Sequence, residues 1–287
     1  MNAKRGLYST WCWTCCAAST AFWGSAALAA GLFPGTGGFR ETCMRRWAVD
    51  NLWLSRTRVR IDGCEHIDRT RPQIFVANHS GLHDILALAA HLPVPARWVA
   101  KKSLFAVPFM GWYMSRCGFV AIDRGNPREA ARSLVDAAAL LNGGANILAF
   151  PEGTRSRTGE LGRFQSGAFA LALKAGAPLV PVVIDGSNRV IAPKSLQVNP
   201  GTVIRIRIGS PIVIAGRDRS DKHRLMDEVY AVMSSLLAGV RHERVPGEES
   251  ADPLNLWING RGAASRDDYP VIEARARAER PRDSTTT

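Results

Sequence analysis

Between Gln73 and Leu237, short apolar runs alternate with helix-length amphipathic stretches, and few architectures accept that rhythm. Candidate strands are Gln73–Ala77, Arg97–Ala100, Phe119–Ile122, Ile147–Phe150, Leu179–Ile184 and Val203–Ile208. Candidate helices are Leu82–His91, Pro127–Leu141, Gly167–Ala175 and Asp221–Leu237. Pro127 stands where a first helical turn tolerates proline, and Gly143-Gly144 follow where a helix should stop. Strand and helix in alternation demand crossovers, so the predicted fold is α/β, with a mixed, mainly parallel sheet flanked by helices. Thr202–Ile208 reads T-V-I-R-I-R-I, which sets Arg205 and Arg207 on one strand face and Ile204, Ile206 and Ile208 on the other. No internal repeat is present.

The N-terminus follows another rule. Trp11 to Phe33 runs 23 residues without a charge, with Lys4 and Arg5 before it and Arg40, Arg45 and Arg46 after it. That length can cross a hydrocarbon core of ~30 Å. Ala27-Leu28-Ala29 has the small-x-small pattern of a signal cleavage site, but the run exceeds an h-region of about 7–15 residues. An interfacial helix pair is a further reading, with Phe39–Trp53 as second member and Met44, Trp47, Ala48 and Leu52 on one face. A buried core helix is the plainest alternative; membrane attachment is the expectation. The chain thus divides into an N-terminal membrane-anchoring helical segment (1–56), a catalytic-sized domain (57–240) and a polar, flexible tail (241–287).

Charge adds a constraint. The 287 residues hold 37 Lys+Arg against 25 Asp+Glu, and the excess is confined to the body. From Arg241 onward there are 8 basic and 9 acidic residues, which leaves 29 against 16 in residues 1–240. An anionic partner is implied: an acidic membrane surface, a phosphorylated substrate or nucleic acid. Nucleic acid is set aside, because no basic stretch is interleaved with aromatics. The six cysteines include one C-x-x-C, Cys12 and Cys15, inside the apolar run and without a second ligand pair.

The loop Asn78-His79-Ser80-Gly81-Leu82-His83-Asp84 leaves the strand Gln73–Ala77, at a place where α/β proteins build sites. His79 and Asp84 are five residues apart, about 500° along one helix, or roughly 140° off a common face. They can meet only if His79 is in the loop and Asp84 in the first helical turn, with Ser80 or Asn78 as cap and Gly81 allowing a bend. A carboxylate on one imidazole nitrogen leaves the other to take a proton. Two alternatives stand beside this base: a metal site from His79, His83, Asp84 and His91, or a loop histidine without chemistry. A second cluster, Phe150-Pro151-Glu152-Gly153-Thr154-Arg155-Ser156, joins a close backbone approach at Gly153 to a hydroxyl and a forked cation suited to phosphate. Asp123 and Arg124 end a third strand, and Lys101 and Lys102 a fourth. In a parallel sheet all four converge on one edge. One base with several cations suits a hydroxyl reacting on a phosphorylated molecule.

These residues resemble the glycerolipid acyltransferases, most nearly the 1-acyl-sn-glycerol-3-phosphate acyltransferases. N-H-S-G-L-H-D is similar to their H-x-x-x-x-D motif, A-I-D-R and F-P-E-G-T-R-S to their second and third motifs, and V-P-V-V-I at Val180–Ile184 to the fourth. The resemblance covers about Asp50 to Pro211. It implies that His79, paired with Asp84, is a general base that deprotonates the 2-hydroxyl of lysophosphatidic acid for attack on the thioester of acyl-CoA or acyl carrier protein. It implies that Lys101, Arg124, Glu152, Gly153, Thr154 and Arg155 hold the glycerol phosphate. An apolar channel for the acyl chain is implied too, with neither metal nor cofactor, and a place on the cytoplasmic face of the inner membrane bilayer. Three departures stand out. The family often carries serine where Gly81 stands, His83 beside Asp84 is unusual, and Ala121 replaces a common phenylalanine. Another lysolipid acceptor, such as lyso-ornithine lipid, is therefore a second reading. A metal-dependent hydrolase and a non-catalytic membrane-surface binding protein are the others.

Overall fold

The computed structural model describes residues 3–33, 35–123 and 125–243. In chain order the helices are α1 (Ala3–Ala30), α2 (Gly37–Leu54), α3 (His83–His91), α4 (Met110–Arg116), α5 (Pro127–Asn142), α6 (Gly167–Ala175), α7 (Ser187–Val190) and α8 (Lys222–His242). The strands are β1 (Arg58–Asp62), β2 (Ile74–Ala77), β3 (Ala96–Lys101), β4 (Val120–Ile122), β5 (Asn146–Ala149), β6 (Leu179–Asp185) and β7 (Val203–Ile208). They form one sheet in the order β1-β7-β6-β2-β5-β3-β4. Only β6 and β7 pair antiparallel; every other neighbour is parallel. The mixed, mainly parallel sheet is therefore as the alternation predicts. The β6–β7 ladder stops where Gly209 N–H donates to Pro181 O at 2.8 Å, because Pro181 has no N–H to return.

Alternation within strands splits the core into two layers. Ile74 and Val76 of β2 point into a cluster with α5, α6 and α8, whereas Phe75 and Ala77 point into one with α3 and the N-terminal helices. β2 and β6 are buried along their whole length, as central strands covered on both faces should be. Three elements had no sequence signal, among them the four-residue α7. β1 is an edge strand of alternating charge with a mostly exposed pattern, and α4 is seven residues long between Pro108 and Cys117.

The N-terminal segment departs from expectation. Trp11–Phe33 is helical to Ala30, but no helix among the described residues is long and apolar enough to cross a membrane. Its length suffices for a bilayer; its serines, threonines and glycines lower its hydropathy too far. The α2 face expected at an interface is instead internal. Ala48 and Leu52 are fully buried against Leu86 and Ala90 of α3, while Met44 and Trp47 line a cavity. Polar side chains clip α1 to α2, with Trp23 Nε1 to Asp50 at 2.8 Å, Trp47 Nε1 to Thr20 at 2.9 Å and Tyr8 OH to Leu54 O at 2.7 Å, and to the body, with Trp13 Nε1 to Leu196 O at 2.7 Å. All six cysteines are free thiols. Of the expected tail, only Arg241–Glu243 lies inside the described residues, ending α8.

Candidate active site

β2, β5, β3 and β4 lie side by side and parallel, so their C-terminal ends open onto one edge of the sheet. Asn78 holds the loop after β2. Its amide donates to Ile184 O at 2.8 Å and accepts from Ile184 N–H at 2.6 Å, extending β2 against β6 by one side chain. The chain then turns so that His79 lies in the loop and Asp84 in the first turn of α3. His79 Nδ1 meets Asp84 Oδ2 at 2.7 Å. The same oxygen accepts from Ser80 N–H at 2.7 Å and Gly81 N–H at 2.9 Å. A carboxylate already taking two amide donors receives a third, so Nδ1 carries the hydrogen and Nε2 is the basic nitrogen. Asp84 is fully buried and His79 is 16% exposed.

No serine or asparagine caps α3. Its N-cap is Leu82, which has no side-chain oxygen to offer, and the Asp84 carboxylate reaches back to the loop amides of Ser80 and Gly81. Ser80, expected as a cap, instead shares a 2.8 Å bond with the Ser187 hydroxyl. Gly81 is explained by the same neighbour. A Cβ there would come within 2.6 Å of Ser187 O, so the first residue of α7 leaves no room for the serine of the resembled motif.

The second cluster clamps the first. Glu152 Oε1 accepts from His79 N–H at 2.8 Å, and Glu152 Oε2 from Gly162 N–H at 2.9 Å. Ser156 N–H donates to His79 O at 2.7 Å. Both backbone groups of His79 are thus held by the loop after β5. Burial pushes the Glu152 carboxyl upward, opposed by its two amide donors. Expected among the phosphate contacts, Glu152 has both oxygens committed to backbone and sits buried behind His79. Phe150 adds a contact that sequence reasoning missed, stacking on the imidazole at 4.2 Å and 20°. Its only signal was position, one residue before Pro151 at the strand's end.

One cavity of about 350 Å³ gathers most of the rest. His79, Lys101, Gly153, Thr154 and Arg155 line its polar end. Gly153 has φ 72°, a left-handed conformation that a side chain would strain. Trp23, Met44, Trp47, Trp98 and Phe119 line the apolar part, so α1 and α2 supply part of its wall. Arg124 lies outside the described residues. Lys102 is turned away, paired with Glu129 and Asp123. His83 is buried with Nδ1 lacking a partner, and burial lowers its pKa to about 4. Among the described residues no three His, Cys, Asp or Glu side chains gather as a metal site.

Residues 58–185 match a family model described as Acyltransferase. Over 170 residues the chain is 33% identical to a chloroplastic 1-acyl-sn-glycerol-3-phosphate acyltransferase of Arabidopsis thaliana, covering 57% of this chain and 48% of that one. Over 157 residues it is 38% identical to the 1-acyl-sn-glycerol-3-phosphate acyltransferase of Saccharomyces cerevisiae, covering 54% and 51%. The bacterial enzyme of that name from Borreliella burgdorferi is 29% identical over 182 residues, covering 63% and 72%. The chain spans about half the length of the first two relatives. Among solved structures, the 1-acyl-sn-glycerophosphate acyltransferase PlsC of Thermotoga maritima has the same fold, with TM-score 0.74 and 23% identity over 85% of this chain and 98% of that one.

Proposed function

We propose, from the match of residues 58–185 to the acyltransferase family model and from the site geometry, that this chain is a membrane-associated 1-acyl-sn-glycerol-3-phosphate O-acyltransferase, which makes phosphatidic acid. The single observation that carries the mechanism is the 2.7 Å bond from His79 to buried Asp84 at the polar end of the cavity. His79 Nε2 takes the proton of the lysolipid 2-hydroxyl as its oxygen attacks the thioester carbonyl. The tetrahedral oxyanion collapses, the carbon–sulfur bond breaks, and the proton passes from imidazolium to the departing thiolate of coenzyme A or acyl carrier protein. Asp84 holds the tautomer and stabilises the imidazolium between the two transfers.

Arg155 and Lys101, both exposed at the cavity mouth, receive the glycerol phosphate, with the Thr154 hydroxyl and the backbone at Gly153 beside them. The Trp- and Met-lined part of the cavity takes the acyl chain. The basic body and the uncharged α1 run support seating on the cytoplasmic face of the inner membrane without crossing it. Residues 57–240 are the catalytic domain in this reading.

The test is acyl transfer by detergent-purified protein, wild type beside His79→Ala, with lysophosphatidic acid and palmitoyl- or oleoyl-CoA. Phosphatidic acid from wild type alone is expected. Substantial turnover by His79→Ala would sink the base assignment. Product with lyso-ornithine lipid but none with lysophosphatidic acid would replace the acceptor.

A further inference from the structure

The segment from Lys101 to Arg116 does two things at once. Lys101, Leu104 and Met110 face the cavity, whereas Leu104, Val107, Phe109 and Trp112 expose apolar surface, Trp112 to 51%. Phe109 is held at φ 62° and ψ −58°, a conformation strained for a residue that bears a side chain. The surrounding contacts that hold it are specific. Gly24 of α1 lets Phe109 come so close that a Cβ on Gly24 would stand 3.1 Å from the Phe109 Cβ. Phe109 in turn packs against Trp112, ring centres 5.4 Å apart. The strain therefore serves to present two aromatic rings outward beside α1.

This surface continues into the turn between α1 and α2. Arg40 Nη1 donates to Arg116 O at 3.0 Å, and Tyr113 OH to Arg40 O at 3.1 Å, joining α4 to the start of α2. The turn exposes Leu32 to 75% and Phe33 to 67%. Charge identifies the occupant. Residues 101–116 hold no acidic residue and, with Lys102 drawn off by Glu129 and Asp123, leave Lys101 and Arg116 as cations; residues 3–54 contain five basic residues and two acidic ones. Exposed aromatic and aliphatic side chains rimmed by cations match an anionic bilayer surface.

We propose that Lys101–Arg116 is a second lipid-docking element, seated beside the α1–α2 turn, which brings the mouth of the cavity against anionic lipid. The proposal rests on the membrane reading above and deepens it: the bilayer meets the rim of the cavity itself, and not the N-terminal helices alone. A lysolipid could then pass from the bilayer to His79 without crossing water.

The test uses the full chain and flotation with phosphatidylcholine vesicles, with and without phosphatidylglycerol. Val107 and Trp112 do not line the cavity, so Val107→Ser/Trp112→Ser is compared with Leu32→Ser/Phe33→Ser and with Val213→Ser, an exposed control on another surface. Wild type should float on phosphatidylglycerol vesicles, and Val107→Ser/Trp112→Ser should bind them about tenfold more weakly. Its turnover of a short-chain, monomeric lysolipid should stay within about twofold of wild type. If it floats like wild type while Leu32→Ser/Phe33→Ser does not, the α1–α2 turn alone docks and the proposal falls, with the membrane reading intact. If wild type ignores both vesicles, the membrane reading falls and takes the proposal with it. If wild type self-associates in the absence of lipid and the double variant does not, a second copy is the occupant and the proposal is overturned.

Discussion

On one side of the cavity His79, Asp84 and Glu152 are locked by short hydrogen bonds from backbone amides and by the stacked ring of Phe150; on the other, α1, α2 and the Lys101–Arg116 segment are joined by scattered polar clips and leave large apolar side chains in the open. The first wall is built from buried charge, where every donor has a direction and a lost partner leaves an uncompensated group. The second is built from apolar area, which has no direction and tolerates exchange. In the proposed reaction, bond-making at a thioester needs the first kind of wall. Holding acyl chains against a bilayer, as the same proposal requires, needs the second.

The comparison can be broken at four points, of decreasing effect. Asp84→Asn should keep the fold but lower kcat by about 10³-fold, since an amide cannot accept three donors and stabilise imidazolium together. Near-wild-type kcat would remove the pair from the mechanism. Second comes acid. Folded His83 stays neutral down to about pH 4, whereas the unfolded imidazole takes its proton near 6.5. The unfolded state binds the extra proton in that window, so stability present above about pH 6.5 should fall as the pH drops towards 4, by roughly 3 kcal/mol. Urea melts of wild type and His83→Gln across this range check it; parallel curves would count against the buried imidazole.

Third, Glu152→Gln keeps shape but sets an NH₂ against one of two amide donors. It should cut kcat about tenfold with KM nearly unchanged, because both Glu152 oxygens hold backbone amides, one of them that of His79. A rise in KM alone would put Glu152 on the phosphate. The smallest effect is expected on the apolar wall. Trp23→Phe removes the bond to Asp50 and should cost about 1 kcal/mol, a Tm decrease of a few degrees, with turnover hardly altered. A large loss of activity would mean that this wall, too, is built for precision.

Much of the active wall was legible before any coordinates. The loop geometry at His79 and Asp84 follows from five residues' separation across a strand-to-helix turn. The convergence of Lys101, Thr154 and Arg155 on one cavity follows from parallel strands ending on one edge. Less was legible where meaning depended on a distant partner. Glu152 looked like a ligand contact because a carboxylate among phosphate-binding residue types gives no hint that His79 and Gly162 amides claim both oxygens. Gly81 looked like a loosened family motif, when Ser187, 106 residues away in the chain, leaves no room for a side chain.

The same division holds for the whole molecule. Periodicity, proline and glycine punctuation and strand-end polarity are properties of neighbours along the chain, and they were enough for the α/β class and for six of seven strands, while the pairing of His79 with Asp84 stood as one of three readings until the family resemblance favoured it. Which face of α2 is internal, how α1 closes the apolar half of the cavity and where the exposed rings gather depend on contacts between segments far apart in sequence. An apolar stripe has the same pattern whether it meets α3, a fatty acyl chain or a bilayer, because burial depends on area and not on what covers it. Only the packed structure separates the three.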